Sequence, residues 1–177
     1  MSMHETKLRL RAPEPEDLDV MMELENGMEL WEASTSTGPY SRYQLKRYLE
    51  DSQNDLYADH QLRLMLEHSE EGVVGMVDLC AFEPRHNRAE VGIIVSRRFR
   101  GQGFGRKGLE LLEAHCFGVL GIRQLYAYVC EANAPSMRLF RSLDYACCGM
   151  LQEWVRIGNT YHTVCLFQKL NDRRTDR

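Results

Sequence analysis

The chain has 177 residues, a formal net charge of -4, 44% hydrophobic residues and 27% charged residues. That length builds one domain with a sizeable core and that composition excludes a disordered chain, while the acidic balance argues against general nucleic-acid affinity and suits a cationic small molecule. No apolar run approaches the roughly 20 residues of a membrane span, and the opening MSMHETKLRLRAPEPE lacks the apolar centre of a signal peptide, so a cytoplasmic protein without membrane partners is expected.

The six cysteines, Cys80, Cys116, Cys130, Cys147, Cys148 and Cys165, contain no C-x-x-C pair, and reduced, mostly buried thiols are expected.

Lys7 to Arg11 alternates charge with leucine and reads as a first strand, closed by Pro13 and Pro15. Glu14, Glu16 and Asp17 then mark the first turn of a helix with Leu18, Met21, Met22 and Leu24 on its apolar face, running towards Gly27. The stretch GMELWEASTSTGPYS, with Trp31 and Tyr40, reads as a loop, either a cleft border or a plain surface connection. Ser41 and Gln44 fit a capping box opening a second helix to about Asp51.

Leu62 to Glu67 and Val73 to Phe82 have strand character and are joined by HSEEG; Ala89 to Val95 adds a third strand of an antiparallel meander. A long helix follows, with Leu109, Leu112, Cys116, Phe117 and Leu120 on one face and Gly121 at its end. Gln124 to Cys130 alternates as a strand. Asn133 or Ser136 caps a short helix to Leu143, and Cys148 to Arg156 with Tyr161 to Lys169 forms a closing hairpin around Gly158 and Asn159.

Between the meander and the long helix lies SRRFRGQGFGRKG. Glycines let backbone approach an anion, a helix start offers unpaired N-H groups, and arginines add charge, so this segment is a phosphate cradle. The Walker pattern fails because Gly108 is followed by Leu109. Gly103, Gly105 and Gly108 satisfy G-x-G-x-x-G literally, with Glu131 further on, yet a dinucleotide fold wants its glycines after the first strand of a βαβ series rather than after a meander.

Arg100-Gly101-Gln102-Gly103-Phe104-Gly105 resembles the R/Q-x-x-G-x-G/A motif of the Gcn5-related N-acetyltransferase (GNAT) family. VCEANAPSMRLFRSLDY resembles that family's second motif, and the β-α-α-β-β-β-α-β-α-β-β order matches across nearly the whole chain. RAEVGIIV and the ending EWVRIGNTYHTVCLFQK look most like the branch holding spermidine and ribosomal-protein N-terminal acetyltransferases.

The resemblance implies an α/β (α+β) single-domain GNAT fold over residues 1–170 with a frayed tail at 171–177. Its mostly antiparallel mixed sheet of about seven strands, flanked by four helices, would carry a splayed strand pair at the cofactor cleft. It implies acetyl-coenzyme A as co-substrate and no metal. The pyrophosphate would lie against Arg100, Gly101, Gln102, Gly103, Phe104, Gly105 and Arg106, and the pantetheine along Ile93, Ile94 and Val95, with an amide near Ile94 facing the thioester oxygen. Asn133, Ser136 and Phe140 of the second motif complete the cofactor set.

An aliphatic ammonium of pKa about 10 must lose a proton before attack, and Glu90, on the strand leading to the cofactor, is the candidate base. Its alternative reading is a structural or substrate-binding acid. Asp78 and Glu83 are acids on the neighbouring strand suited to a cationic acceptor, and His86 is a candidate relay. The position where the family usually carries a proton-donating tyrosine is Phe140, and Tyr145 is the candidate substitute acid; Asp144 and Tyr145 stand where the family prefers Gly-Phe. The resemblance thus implies an N-acetyltransferase for a primary amine, with a polyamine favoured. A protein N-terminus is the rival substrate, and a low-turnover acetyl-coenzyme A-binding sensor the rival class. Polyamine-type relatives form rings, so a homo-oligomer is possible. Glu29 and Glu32 lie near the first loop, but TSTGPY lacks an acidic pair of the kind such relatives use for regulation.

Overall fold

The computed structural model describes residues 7–27 and 38–172. The loop residues Glu29, Trp31 and Glu32 and the last five positions therefore lie outside the described residues.

One mixed sheet of seven strands carries the fold: β1 (Leu8–Arg11), β2 (Leu62–His68), β3 (Gly72–Glu83), β4 (Arg88–Val95), β5 (Gln124–Cys130), β6 (Ala146–Ile157) and β7 (Thr160–Leu170). Their spatial order is β1-β2-β3-β4-β5-β7-β6. Among the described residues only β4 and β5 pair in parallel; every other pair is antiparallel. The helices are α1 (Leu18–Glu25), α2 (Arg42–Asp51), α3 (Leu56–Asp59), α4 (Phe104–Gly118) and α5 (Ala134–Ser142).

The described residues thus hold five α-helices against the four expected from sequence. The addition is α3, a single turn too short to show a 3.6-residue period, which is started by Asp55 accepting from the amides of Tyr57 and Ala58. The capping box of Ser41 and Gln44 is formed, with reciprocal bonds of 3.1 and 2.8 Å.

The strand period of two divides the sheet into two faces. On one, α4 and α5 cover Val77, Leu79, Ala89, Val91, Leu125, Ala127 and Phe167 through Leu109, Leu112, Met137 and Phe140. On the other, Met21 and Leu24 of α1 and Leu45 of α2 cover Met65, Met76 and Ile94. Residues on β4 therefore alternate between a helix-packed core, reached by Ala89, Val91 and Ile93, and the face bearing Glu90, Gly92 and Ile94.

Two expectations are corrected. Cys147 and Cys165 are joined by a disulfide between β6 and β7, with Cα atoms 6.1 Å apart, because the hairpin register brings together two residues whose spacing in sequence gives no framework signal. Of the other four, Cys116 and Cys130 are buried while Cys80 and Cys148 are exposed. Asn171 is not frayed: its side chain donates to the carbonyls of Phe117 and Ile122 at 3.2 and 3.1 Å, capping the turn after α4. The fold therefore extends one residue past the expected boundary.

Candidate active site

β4 and β5 pair only over Arg88–Glu90 and Gln124–Tyr126. Beyond that point Val91 to Val95 bonds to β3 alone, so the two parallel strands diverge into a V-shaped cleft. Diverging strands expose main-chain N-H and C=O groups that must find partners elsewhere. The splayed pair expected from sequence is present.

The glycine turn closes the wide end of that cleft. Gly101 and Gly103 have φ of 76° and 85°, a backbone region closed to most side chains, and a Cβ at either would meet nothing within 4 Å. Gly103 opens α4 without a side-chain cap, and the first helical bond runs from Lys107 N to Gly103 O at 3.1 Å. The amides of Phe104, Gly105 and Arg106 precede it at the positive end of the helix dipole. Open space, uncapped amides and positive φ together fit a pyrophosphate.

Side chains around the turn brace it. Arg100 Nε donates to Val95 O at 3.1 Å and Gln102 Nε2 to Arg98 O at 3.2 Å, tying the turn to the end of β4. Arg106 bonds Glu110 and donates to Ser142 O at 2.8 Å, linking α4 to α5. Of the last two glycines of the literal pattern, only Gly108 is required by packing, and Gly105 has room for a Cβ. A Cβ at Gly105 would touch Leu139 and Val95 at 3.5 and 3.7 Å, and one at Gly108 would meet Leu66 at 2.9 Å and Ile93 at 3.2 Å. Ile93 and Val95 point their side chains under α4, which leaves their main chain to line the cleft.

At the start of α5, the Asn133 side chain accepts from Ser136 N at 3.2 Å, an ordinary N-cap. Phe140 is buried, its ring stacked on Phe167 with centroids 5.7 Å apart and met edge-on by Tyr145 at 5.1 Å. Tyr145, the candidate substitute acid, is 4% exposed within the same core. Burial, with the nearby Glu113 carboxylate, pushes its phenol far above the ordinary value. Lys169 bonds Glu113 at 2.6 Å and sits 5.5 Å from the Tyr145 ring. This placement corrects the expectation that Tyr145 is a general acid, since the residue precedes β6 and packs its ring inward against Phe140.

The opposite face carries the acids. Cys80 pairs with Glu90 and Asp78 with Gly92, so the carboxylates of Asp78 and Glu90 share one face of adjacent strands. Glu90 is half-buried, and burial raises its pKa above the ordinary carboxylate value. Asp78 is bound to Arg63 through both oxygens, at 2.7 and 2.8 Å, and Arg63 also pairs with Glu25 of α1 at 2.5 Å. The Arg63 guanidinium lies 5.4 Å from the Tyr48 ring of α2. Glu83 and His86 sit exposed at the β3–β4 turn, where His86 N donates to Glu83 O at 3.1 Å, at the narrow end of the cleft rather than beside Ile94.

Sequence reasoning missed Arg63, which meets Asp78 only through the β2–β3 register, Glu25, which α1 brings to the same guanidinium, and a pocket of about 260 Å³ lined in part by Tyr126, the strand partner of Glu90. Arg88, Gln124, Tyr126, Tyr128, Cys148 and Gln168 line it, with Leu166 beneath. The alternation in Gln124-Leu-Tyr126-Ala-Tyr128 was its available signal: every polar residue of β5 falls on the face that bears Glu90.

Residues 7–146 match the family profile of the acetyltransferase (GNAT) domain, and the chain belongs to that family. It is an N-acetyltransferase with acetyl-coenzyme A as co-substrate. Among relatives, the spermidine N(1)-acetyltransferase of Escherichia coli K12 is 29% identical over 172 residues, covering 91% of this chain and 86% of its own. That of Vibrio cholerae is 26% identical over 167 residues, with 90% of each covered. A Vibrio cholerae spermidine N-acetyltransferase solved with CoA and spermine shares the fold, with a TM-score of 0.86 at 23% identity, over 94% of this chain and 97% of that one.

Proposed function

We propose that this protein acetylates a polyamine, by direct attack of a primary amine in a ternary complex, with Glu90 as the base. The observation that carries the reading is Glu90 itself: a half-buried carboxylate with raised pKa where the paired strands begin to part. The spermidine N-acetyltransferase names of the relatives support the substrate class.

Bound acetyl-coenzyme A supplies an acyl group activated as a thioester. The amides of Gly101 to Arg106 hold the pyrophosphate, and the main chain of Ile93, Ile94 and Val95 lines the pantetheine channel, with an amide near Ile94 directed at the developing oxyanion. Asn133 and Ser136 shape the far wall. Glu90 accepts the proton that leaves the ammonium, and its raised pKa brings it closer to neutrality, where a general base works best. Phe140 has no proton to give and Tyr145 is sealed in the core, so neither protonates the departing thiolate, whose pKa of about 8–9 makes it a tolerable leaving group unaided.

Arg63 neutralises one of Asp78 and Glu25, which leaves this face with an excess of negative charge that favours a cationic acceptor. Asp78 acts in this account through the field it adds, and Glu83 and His86 act at the rim. A cytoplasmic location and assembly into a homo-oligomer belong to the same proposal; among the described residues no helix is long and apolar enough to cross a membrane. A thiol-release assay across spermidine, spermine and basic N-terminal peptides tests the substrate class.

A further inference from the structure

An aromatic ladder leads away from Glu90. Tyr126 is the register partner of Glu90 across the β4–β5 pair, and Tyr128 follows two residues on, on the same face. The rings of Tyr126 and Tyr128 meet edge to face with centroids 5.8 Å apart. Trp154 of β6 then stacks on Tyr128, at 6.4 Å and 21° between planes. Tyr128 is 44% exposed and Trp154 60% exposed, so neither ring is core.

Tyr128 lines the same pocket as Gln124, Tyr126, Cys148 and Gln168, and Trp154 stacks on Tyr128 next to it. One interstrand step of about 4.8 Å and one two-residue step of about 6.8 Å put Tyr128 roughly 8 Å from Glu90 along the sheet. That interval separates backbone positions, and side-chain reach from both strands brings it within the spacing of neighbouring nitrogens in a polyamine. Arg88 lies at the opposite end of the same pocket, next to Gln124, and repels a cation there. A polycation with one nitrogen at Glu90 is thereby directed towards Tyr128 and Trp154.

We propose that Tyr128 and Trp154 form the acceptor-binding wall, holding the second, charged nitrogen of a polyamine by cation–π contact while the reacting nitrogen lies at Glu90. Tyr126 is the spacer between the two, its phenol raised by burial and by Glu90 and so kept protonated. The wall selects acceptors with two or more cationic centres over monoamines. This inference rests on the polyamine reading above.

Steady-state coenzyme A release is measured with spermidine and with a monoamine of similar length for wild type, Tyr128→Leu, Tyr128→Phe and Trp154→Leu. A cation–π contact contributes about 0.5–2 kcal/mol, so each leucine variant raises KM for spermidine about 2- to 30-fold while kcat at saturation changes little. Tyr128→Phe stays near wild type, because the ring and not the hydroxyl makes the contact. The monoamine KM does not move. Equal effects on spermidine and monoamine, or unchanged spermidine kinetics in both leucine variants, overturn the wall and leave the polyamine reading standing. Wild type that turns over no amine overturns that reading and the wall together. Melting curves check that the leucine variants remain folded, as the exposure of both rings leads one to expect.

Discussion

Glu90 and Tyr126 are strand neighbours at the last point where β4 and β5 remain paired, and beyond them the strands part. Glu90 is paired on both sides, with Cys80 of β3 next to a register shift and with Tyr126 of β5, and its side chain lies on the face that carries Asp78. A rigid base at a fixed distance from the diverging main chain is what an amine acylation requires.

Glu90→Gln is therefore expected to lower kcat/KM by about 10²- to 10⁴-fold while the fold persists. In wild type the rate falls as pH drops through the raised Glu90 pKa, and that acid limb disappears in the variant. The sign for stability is opposite. A carboxyl group whose folded pKa lies above its unfolded one contributes stability that is full below the unfolded value and lost as pH rises through the folded one. At neutral pH the ionised Glu90 thus costs stability, and Glu90→Gln raises Tm. A pH–rate series paired with melting curves checks both signs.

Arg63 anchors three elements, bonding Asp78 on β3 and Glu25 on α1 from its place on β2. Both pairs are about 15% exposed, so removing the cation leaves two carboxylates poorly solvated. Arg63→Met is expected to lose about 3–5 kcal/mol in urea denaturation, and adding Asp78→Asn recovers part of the loss. Equal stability of wild type and Arg63→Met would show that the pair is screened by solvent.

Phe140→Tyr adds a hydroxyl to a buried ring that packs against Phe167 and Tyr145. An unpaired buried hydroxyl costs about 1–3 kcal/mol, and turnover is expected not to rise. A large gain in kcat would instead mean that the new phenol reaches the leaving thiolate, contrary to the placement of this ring in the core.

The local features were legible in the sequence. The glycine turn, the boundaries of β5 and the capping box at Ser41 depend on residues a few positions apart, and each has its own chemistry. What was hidden depends on register across the sheet. Asp78 read as a free acid because Arg63, fifteen positions earlier, meets it only when β2 and β3 pair. Tyr145 read as a possible acid because its burial against Phe140 and Glu113 arises only when α4 and α5 pack on the sheet. Cys147 and Cys165 carried no spacing signal, and α3 is too short to be periodic. The literal G-x-G-x-x-G was informative chiefly for its failure: Gly101 and Gly103 carry the cradle's positive φ, Gly108 makes room for Leu66, and Gly105 meets no close neighbour.

Gly103 links the cradle to a binding measurement. Gly103→Val puts a β-branched side chain at φ 85° and into the open space above the turn. Coenzyme A binding by calorimetry is expected to fall below detection, with a stability loss of about 1–2 kcal/mol. Retained affinity would move the anion site elsewhere.

The most direct test is thiol release from acetyl-coenzyme A by purified protein, supplied in turn with spermidine, spermine, a monoamine and a basic N-terminal peptide. The account predicts saturable release with the polyamines, much weaker release with the monoamine and peptide, and loss of the polyamine signal in Glu90→Gln. Release that favours the peptide, or an undiminished rate in Glu90→Gln, would contradict it.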